Sequence, residues 1–259
     1  MSVAQGTGTY PAYIGNSRLL STAGGGTALS TTKVWIPIPP GISNVLITPR
    51  NFATAVVAKV SLNPFITVLK TIDGMSTPPT NYSEAAQDGA AGTLVTLSSL
   101  PTLANGGAVY VGAVDLFGGL MADVVDPNGG GGTMAVTYWN GTAWTNITPT
   151  DGTTNLSADG LISWTVPTDW VQAELGTVLG RSFPGTGQSL YWVRIATSVA
   201  YDASTTLASL YAYSRFGDSV MELASGQVFG TAINRAQNGG VIQAQVDAVT
   251  GNLIVNGFY

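Results

Sequence analysis

Hydrophobic residues in this chain come in short runs, many of them alternating with polar ones, and Pro, Gly or Asn breaks nearly every run. Lys33-Val-Trp-Ile-Pro-Ile-Pro-Pro reads as a strand whose prolines suit a sheet edge or a strand end. Asn44-Val-Leu-Ile-Thr, Thr54-Ala-Val-Val-Ala-Lys-Val and Phe65-Ile-Thr-Val-Leu-Lys-Thr-Ile follow, short and rich in β-branched side chains. After a Pro/Gly/Ser/Ala-rich stretch holding Thr93-Leu-Val-Thr-Leu, strands are expected at Val109–Val114, Leu120–Val125 and Thr133–Trp139. Asn140-Gly141 then predicts a hairpin turn with positive φ at both positions. Asp159-Gly160 predicts a second turn, before a strand that puts Ile162, Trp164 and Val166 on one face. Tyr191-Trp-Val-Arg-Ile is a further strand. A short helix is expected from Asp169 to Leu175, and a closing hairpin from Val241–Ala248 and Leu253–Asn256 about Thr250-Gly251. No long helical period or fixed-length repeat appears. The expected class is all-β, a sandwich or jelly roll with an extended N-terminal arm and an added C-terminal hairpin.

Composition shifts divide the chain into an arm (1–32), a strand region with a long loop (33–106), a sandwich module (107–213) and a C-terminal hairpin segment (214–259). The arm is dominated by Gly, Ser, Thr and Ala and cannot form a core alone. Its Tyr10, Tyr13, Ile14, Leu19 and Leu20 are spaced to lie along another surface, so these five are expected to make a protein interface, such as one with a neighbouring subunit.

The chemistry of the chain is narrow. Its 259 residues include no His and no Cys, and 9% are charged while 45% are hydrophobic. That removes the side chain that titrates near neutral pH, the thiol nucleophile, and the usual nitrogen and sulfur ligands of zinc. A net charge of −5 with scattered cations argues against nucleic acid as the main partner. Residues 1–10 lack the basic-then-apolar order of a secretory signal. The most apolar window, 51–72, is interrupted by Lys59, Asn63, Pro64 and Lys70, so no membrane span is expected. Asp123 with Asp126, and Asp151 with Asp159, are the local acid clusters. In Gly-rich loops such spacing marks turns, or at most a calcium site, before it marks a glycosidase pair. Gly129–Gly132 lacks the Lys-Ser/Thr that would make it a phosphate loop. The expectation is no catalytic residue, no metal and no cofactor.

Five of the six tryptophans fall between Trp139 and Trp192. Trp139, Trp164 and Trp192 are expected to fill the core, with Trp144 and Trp170 as exposed aromatic contacts because they follow a turn and a Pro. Arg194, isolated in an aromatic strand, is expected to pair with Asp169 or Asp159. The order Tyr138-Trp-Asn-Gly, Asp151-Gly-Thr, Asp159-Gly, Pro167-Thr-Asp-Trp and Tyr191-Trp-Val-Arg-Ile resembles a β-sandwich module of tailed-phage virion proteins, over roughly residues 108–213. The resemblance implies a virion structural protein rather than an enzyme. The expectation it supports is a homo-oligomeric decoration (cement) protein on the outer capsid surface, bound to other virion proteins, the major capsid protein first among them. The alternative is a tail, baseplate or fibre module that binds a host-surface glycan.

Overall fold

The computed structural model describes residues 17–20, 26–31, 34–52, 56–88, 90, 92–214, 221–246 and 251–259. The fold is all-β, built from antiparallel sheets that pack as two sandwiches. The chain starts in one sandwich, builds the whole of the second, and returns to finish the first.

The first, or basal, sandwich opens with β1 (Ser17–Leu19), β2 (Thr27–Leu29), β3 (Val34–Pro37), β4 (Asn44–Arg50) and β5 (Val57–Asn63). The inserted sandwich takes β6 (Thr67–Thr71), β7 (Thr80–Asn81), β8 (Val95–Thr96), β9 (Ala108–Ala113), β10 (Phe117–Asp126), β11 (Met134–Trp139) and β12 (Trp144–Ile147). It is completed by β13 (Thr150–Asp151), β14 (Gly160–Ser163), β15 (Gln172–Glu174), α1 (Leu175–Leu179), β16 (Ser189–Thr197) and β17 (Thr206–Ser214). The chain then re-enters the basal sandwich as β18 (Met221–Ala224), β19 (Phe229–Ala232), α2 (Arg235–Asn238), β20 (Val241–Val246) and β21 (Gly251–Phe258).

One basal sheet runs β1-β21-β4-β19, with β2 also on β21, and the other runs β18-β5-β20-β3. Their inner faces alternate as half-buried strands should. Val45, Ile47, Leu253 and Val255 from one sheet meet Val60, Ile242, Ala244 and Val246 from the other. The inserted sandwich packs β12-β11-β16-β9-β6-β7 against β13-β14-β10-β17-β8. Its core joins Val111, Val136, Val193 and Ile195 to Leu120, Ile162, Leu210 and Ala212.

Pairing partners correct several expectations. The strand region 33–106 is split, because β3 to β5 belong to the basal sandwich and β6 to β8 to the inserted one. The C-terminal strands are not a hairpin: β20 pairs with β3 and β5, whereas β21 pairs with β1, β2 and β4. Alternation in both runs is real, but each buries its apolar face from the opposite sheet. The short helix lies at Leu175–Leu179 rather than Asp169–Leu175, since Asp169 accepts a hydrogen bond from the Tyr138 hydroxyl at 2.7 Å and residues 172–174 pair with β16. At Asn140-Gly141 only Gly141 has positive φ, 98°. The turn is instead held by the Asn140 carboxamide oxygen, which accepts from the Thr142 and Ala143 N–H groups. Asp159-Gly160 likewise shows no positive φ.

Charge follows the sandwiches. Residues 64–214 hold eleven of the fourteen carboxylates and three cations, a net −8, while the remainder of the chain is net +3. The insert is acidic and the base is not.

Candidate functional site

Each sandwich presents one surface with unusual composition. On the basal sandwich it is the outer face of the β1-β21-β4-β19 sheet. Period-two alternation sends Leu46 and Thr48 outward from β4, and Ile254, Asn256 and Phe258 outward from β21. Leu19 of β1 lies opposite Asn256 and joins them, 42% exposed beside Leu46 at 37%. Gly230 and Ala232 of β19 keep the far side low. Among the described residues of this face the single charge is Arg50, at its end. A sheet face with exposed Leu19 and Leu46 and no carboxylate among its described residues suits contact with another protein.

On the inserted sandwich the surface is the outer face of β12-β11-β16-β9. Register puts Trp144 opposite Trp139, Thr137 opposite Arg194, and Arg194 opposite Tyr110. The Arg194 guanidinium lies 5.0 Å from the Trp144 ring centroid, and its Nε donates to Thr137 Oγ1 at 3.2 Å. Trp144 meets Trp139 edge-on at 5.7 Å and Tyr110 at 5.4 Å. Burial pushes the Tyr110 hydroxyl above its ordinary value, opposed by the adjacent Arg194 charge. The expected pairing of Arg194 with Asp169 or Asp159 does not form. Asp169 is taken by Tyr138, and Asp159 accepts the Val124 N–H at 2.7 Å.

Tyr10, Tyr13 and Ile14 lie outside the described residues. Leu20 is half-buried and donates its N–H to Val255 O at 2.8 Å, so of the expected arm pair only Leu19 faces out. Trp144 is half-buried beneath Arg194. Trp170, expected to be exposed, is 6% exposed. The Tyr138–Asp169 bond ties its loop to β11, and the indole packs on Phe117, Tyr138 and Tyr191. Trp164 and Trp192 are core residues as expected, whereas Trp139 is half-buried on the outer face. An open cleft of about 470 Å³ lies beside Trp164 and Trp170, walled by Leu116, Val166 and Pro167.

The acid clusters act as structural acceptors. Asp151 accepts from the Thr153 and Asn155 N–H groups, holding Thr154, Asn155 and Leu156 at positive φ, and Asp126 accepts from the Thr206 hydroxyl. Burial, then the Asp159 charge, pushes the Asp123 carboxyl up. Among the described residues no group of three His, Cys, Asp or Glu is placed to hold a metal ion, and no helix is long and apolar enough to cross a membrane.

No protein-family model matches the chain, and neither does any curated protein.

Proposed function

We propose that this chain is a non-enzymatic structural protein of a tailed-phage virion, a decoration protein that reinforces the outer surface of the head as a homo-oligomer. The observation that carries this reading is the outer face of the basal sheet. Leu19, Leu46, Ile254 and Phe258 stand on it with no carboxylate among its described residues. The separation of charge fits an outward insert: net −8 on the inserted sandwich favours solvent, and net +3 on the rest of the chain leaves the base free to dock. Both ends of the described chain, β1 and β21, pair at the edge of that same sheet. The resemblance of residues 108–213 to virion sandwich modules supports the same reading.

The test is re-addition of purified protein to phage particles that lack it. Leu46→Glu or Ile254→Glu should abolish saturable binding, and Val125→Glu on the inserted sandwich should not. Particle binding untouched by either basal substitution would reject the docking face.

A further inference from the structure

Arg194 is a cation with no anion among the described residues. The sandwich around it carries a large excess of carboxylates, yet none reaches its guanidinium, and the ion pair seen among the described residues is Arg235–Glu84. Of its five N–H groups, Nε is spent on Thr137 Oγ1 and another faces the Tyr110 hydroxyl, while one face of the guanidinium rests on the Trp144 ring, which leaves the remaining N–H groups for a ligand. A half-buried guanidinium gains most from a planar carboxylate or phosphate approached edge-on. Here it stands beside a covered part of the sheet face, where Tyr110 and Trp192 are buried with Leu175 of α1, and next to two half-buried indoles inclined at 61°, Trp139 and Trp144. Asn146, exposed and two residues from Trp144 on the same strand, adds an amide to the rim. The turn after Trp139 presents Asn140 and Thr142, bonded to each other, with exposed Val171 beside Gly141.

We infer that Trp139, Trp144, Arg194 and Asn146 form a binding site for a carboxylated saccharide, a uronic or sialic acid unit. The assignment uses each group for what it does best. An indole face takes the C–H face of a pyranose ring, the guanidinium takes the sugar carboxylate in a two-point contact, and the amide and loop hydroxyls take ring hydroxyls. Two indoles and one guanidinium cover about one sugar ring. A protein partner would need a far wider contact, burying roughly 800 Å² per side, whereas hydroxyl and amide groups dominate the rim here. The inserted sandwich repels anions at long range, but that repulsion is screened beyond about 8 Å at physiological salt and leaves the local guanidinium contact intact. The inference stands on these side chains and not on a location in the virion.

The experiment is titration of the full chain, followed by tryptophan fluorescence and isothermal calorimetry. The probes are an oligoglucuronate tetrasaccharide, N-acetylneuraminic acid, a neutral glucose tetrasaccharide and sodium acetate. Saturable binding of an acidic sugar is expected, at least about tenfold tighter than the neutral sugar or acetate. Arg194→Gln should remove that preference, and Trp139→Ala should weaken binding of the acidic sugar by a similar factor. Asn146→Ala, fully on the surface, serves if either variant unfolds, and should weaken binding severalfold. Absence of saturation by both acidic probes overturns the site. So does equal affinity for the neutral sugar, equal affinity for acetate, or binding unchanged in all three variants.

Discussion

Trp35 of the basal sandwich stacks on Tyr211 of the inserted one, with ring centroids 6.2 Å apart and planes 10° from parallel. Tyr213 closes on the same indole at 6.5 Å. Two chain segments also connect the sandwiches, one after Asn63 and one after Ser214, and Arg235 reaches across to Glu84 at 2.6 Å. That ion pair is exposed and contributes little. The aromatic stack therefore couples the two halves together with the packing of β5 against β17. Trp35→Ala should lower the cooperativity of unfolding, so that calorimetry resolves two transitions where the natural chain shows one. A single transition in the variant would show that the sandwiches are coupled some other way.

The same interface has a polar defect. Ser61, Asn63 and Gln243 are 0–1% exposed, on the sheet face away from the basal core, and both amide side chains and the Ser61 hydroxyl have no hydrogen-bond partner among the described residues. A buried polar group left unpaired costs on the order of 1–3 kcal/mol. Gln243→Met keeps the volume and removes the amide. It should raise the urea midpoint by an amount worth about 1 kcal/mol or more, with m unchanged. A lower midpoint would show that the amide is satisfied in solution.

How far the sequence carried this picture differs by level. Strand positions were legible wherever Val, Ile and Thr clustered between breakers, as at β3, β4, β11 and β16. Partnership was not. Val241–Val246 and Gly251–Phe258 look like a hairpin because they are close in sequence, yet each completes a sheet begun about 200 residues earlier. The exposed basal face has one local signal: Val45, Leu46 and Ile47 are apolar in succession, and on an antiparallel surface strand that leaves one of them outside. Trp170 was misplaced because a Pro before it says nothing of Tyr138, whose hydroxyl fixes the loop from 31 residues away.

Trp192 is fully buried and lies across Gly112 of the neighbouring strand, where a Cβ would stand 2.7 Å from the indole. Gly112 is thus required by close approach rather than by φ. Trp192→Ala should cost about 3–5 kcal/mol through the cavity it leaves. Gly112→Val should cost about 1–3 kcal/mol by overpacking. Denaturant titration of both variants checks the pair, and wild-type stability in Gly112→Val would contradict the packing.

Asp202 closes the Gly-rich loop. Its carboxylate accepts the Gly129 N–H at 2.6 Å and the N–H and hydroxyl groups of Ser204 and Thr205. These bonds, that from Gly129 first, hold its pKa well below the usual carboxylate range. A depressed folded pKa contributes stability that is present above the unfolded value, about 3.9, and is lost as pH falls through the folded one. Asp202→Asn should therefore be less stable at neutral pH, and its stability should fall less steeply below about pH 4 than that of the natural chain. Parallel acid limbs in thermal melts would contradict the assignment.

The central claim, that the chain docks on a phage head through its basal sheet, is tested most directly by cryo-EM of purified particles. The account predicts density for the chain on the outer capsid surface, with Leu46, Ile254 and Phe258 against the shell and the acidic inserted sandwich facing solvent. Density confined to the tail, or an inserted sandwich seated on the shell with the basal face open to solvent, would contradict it.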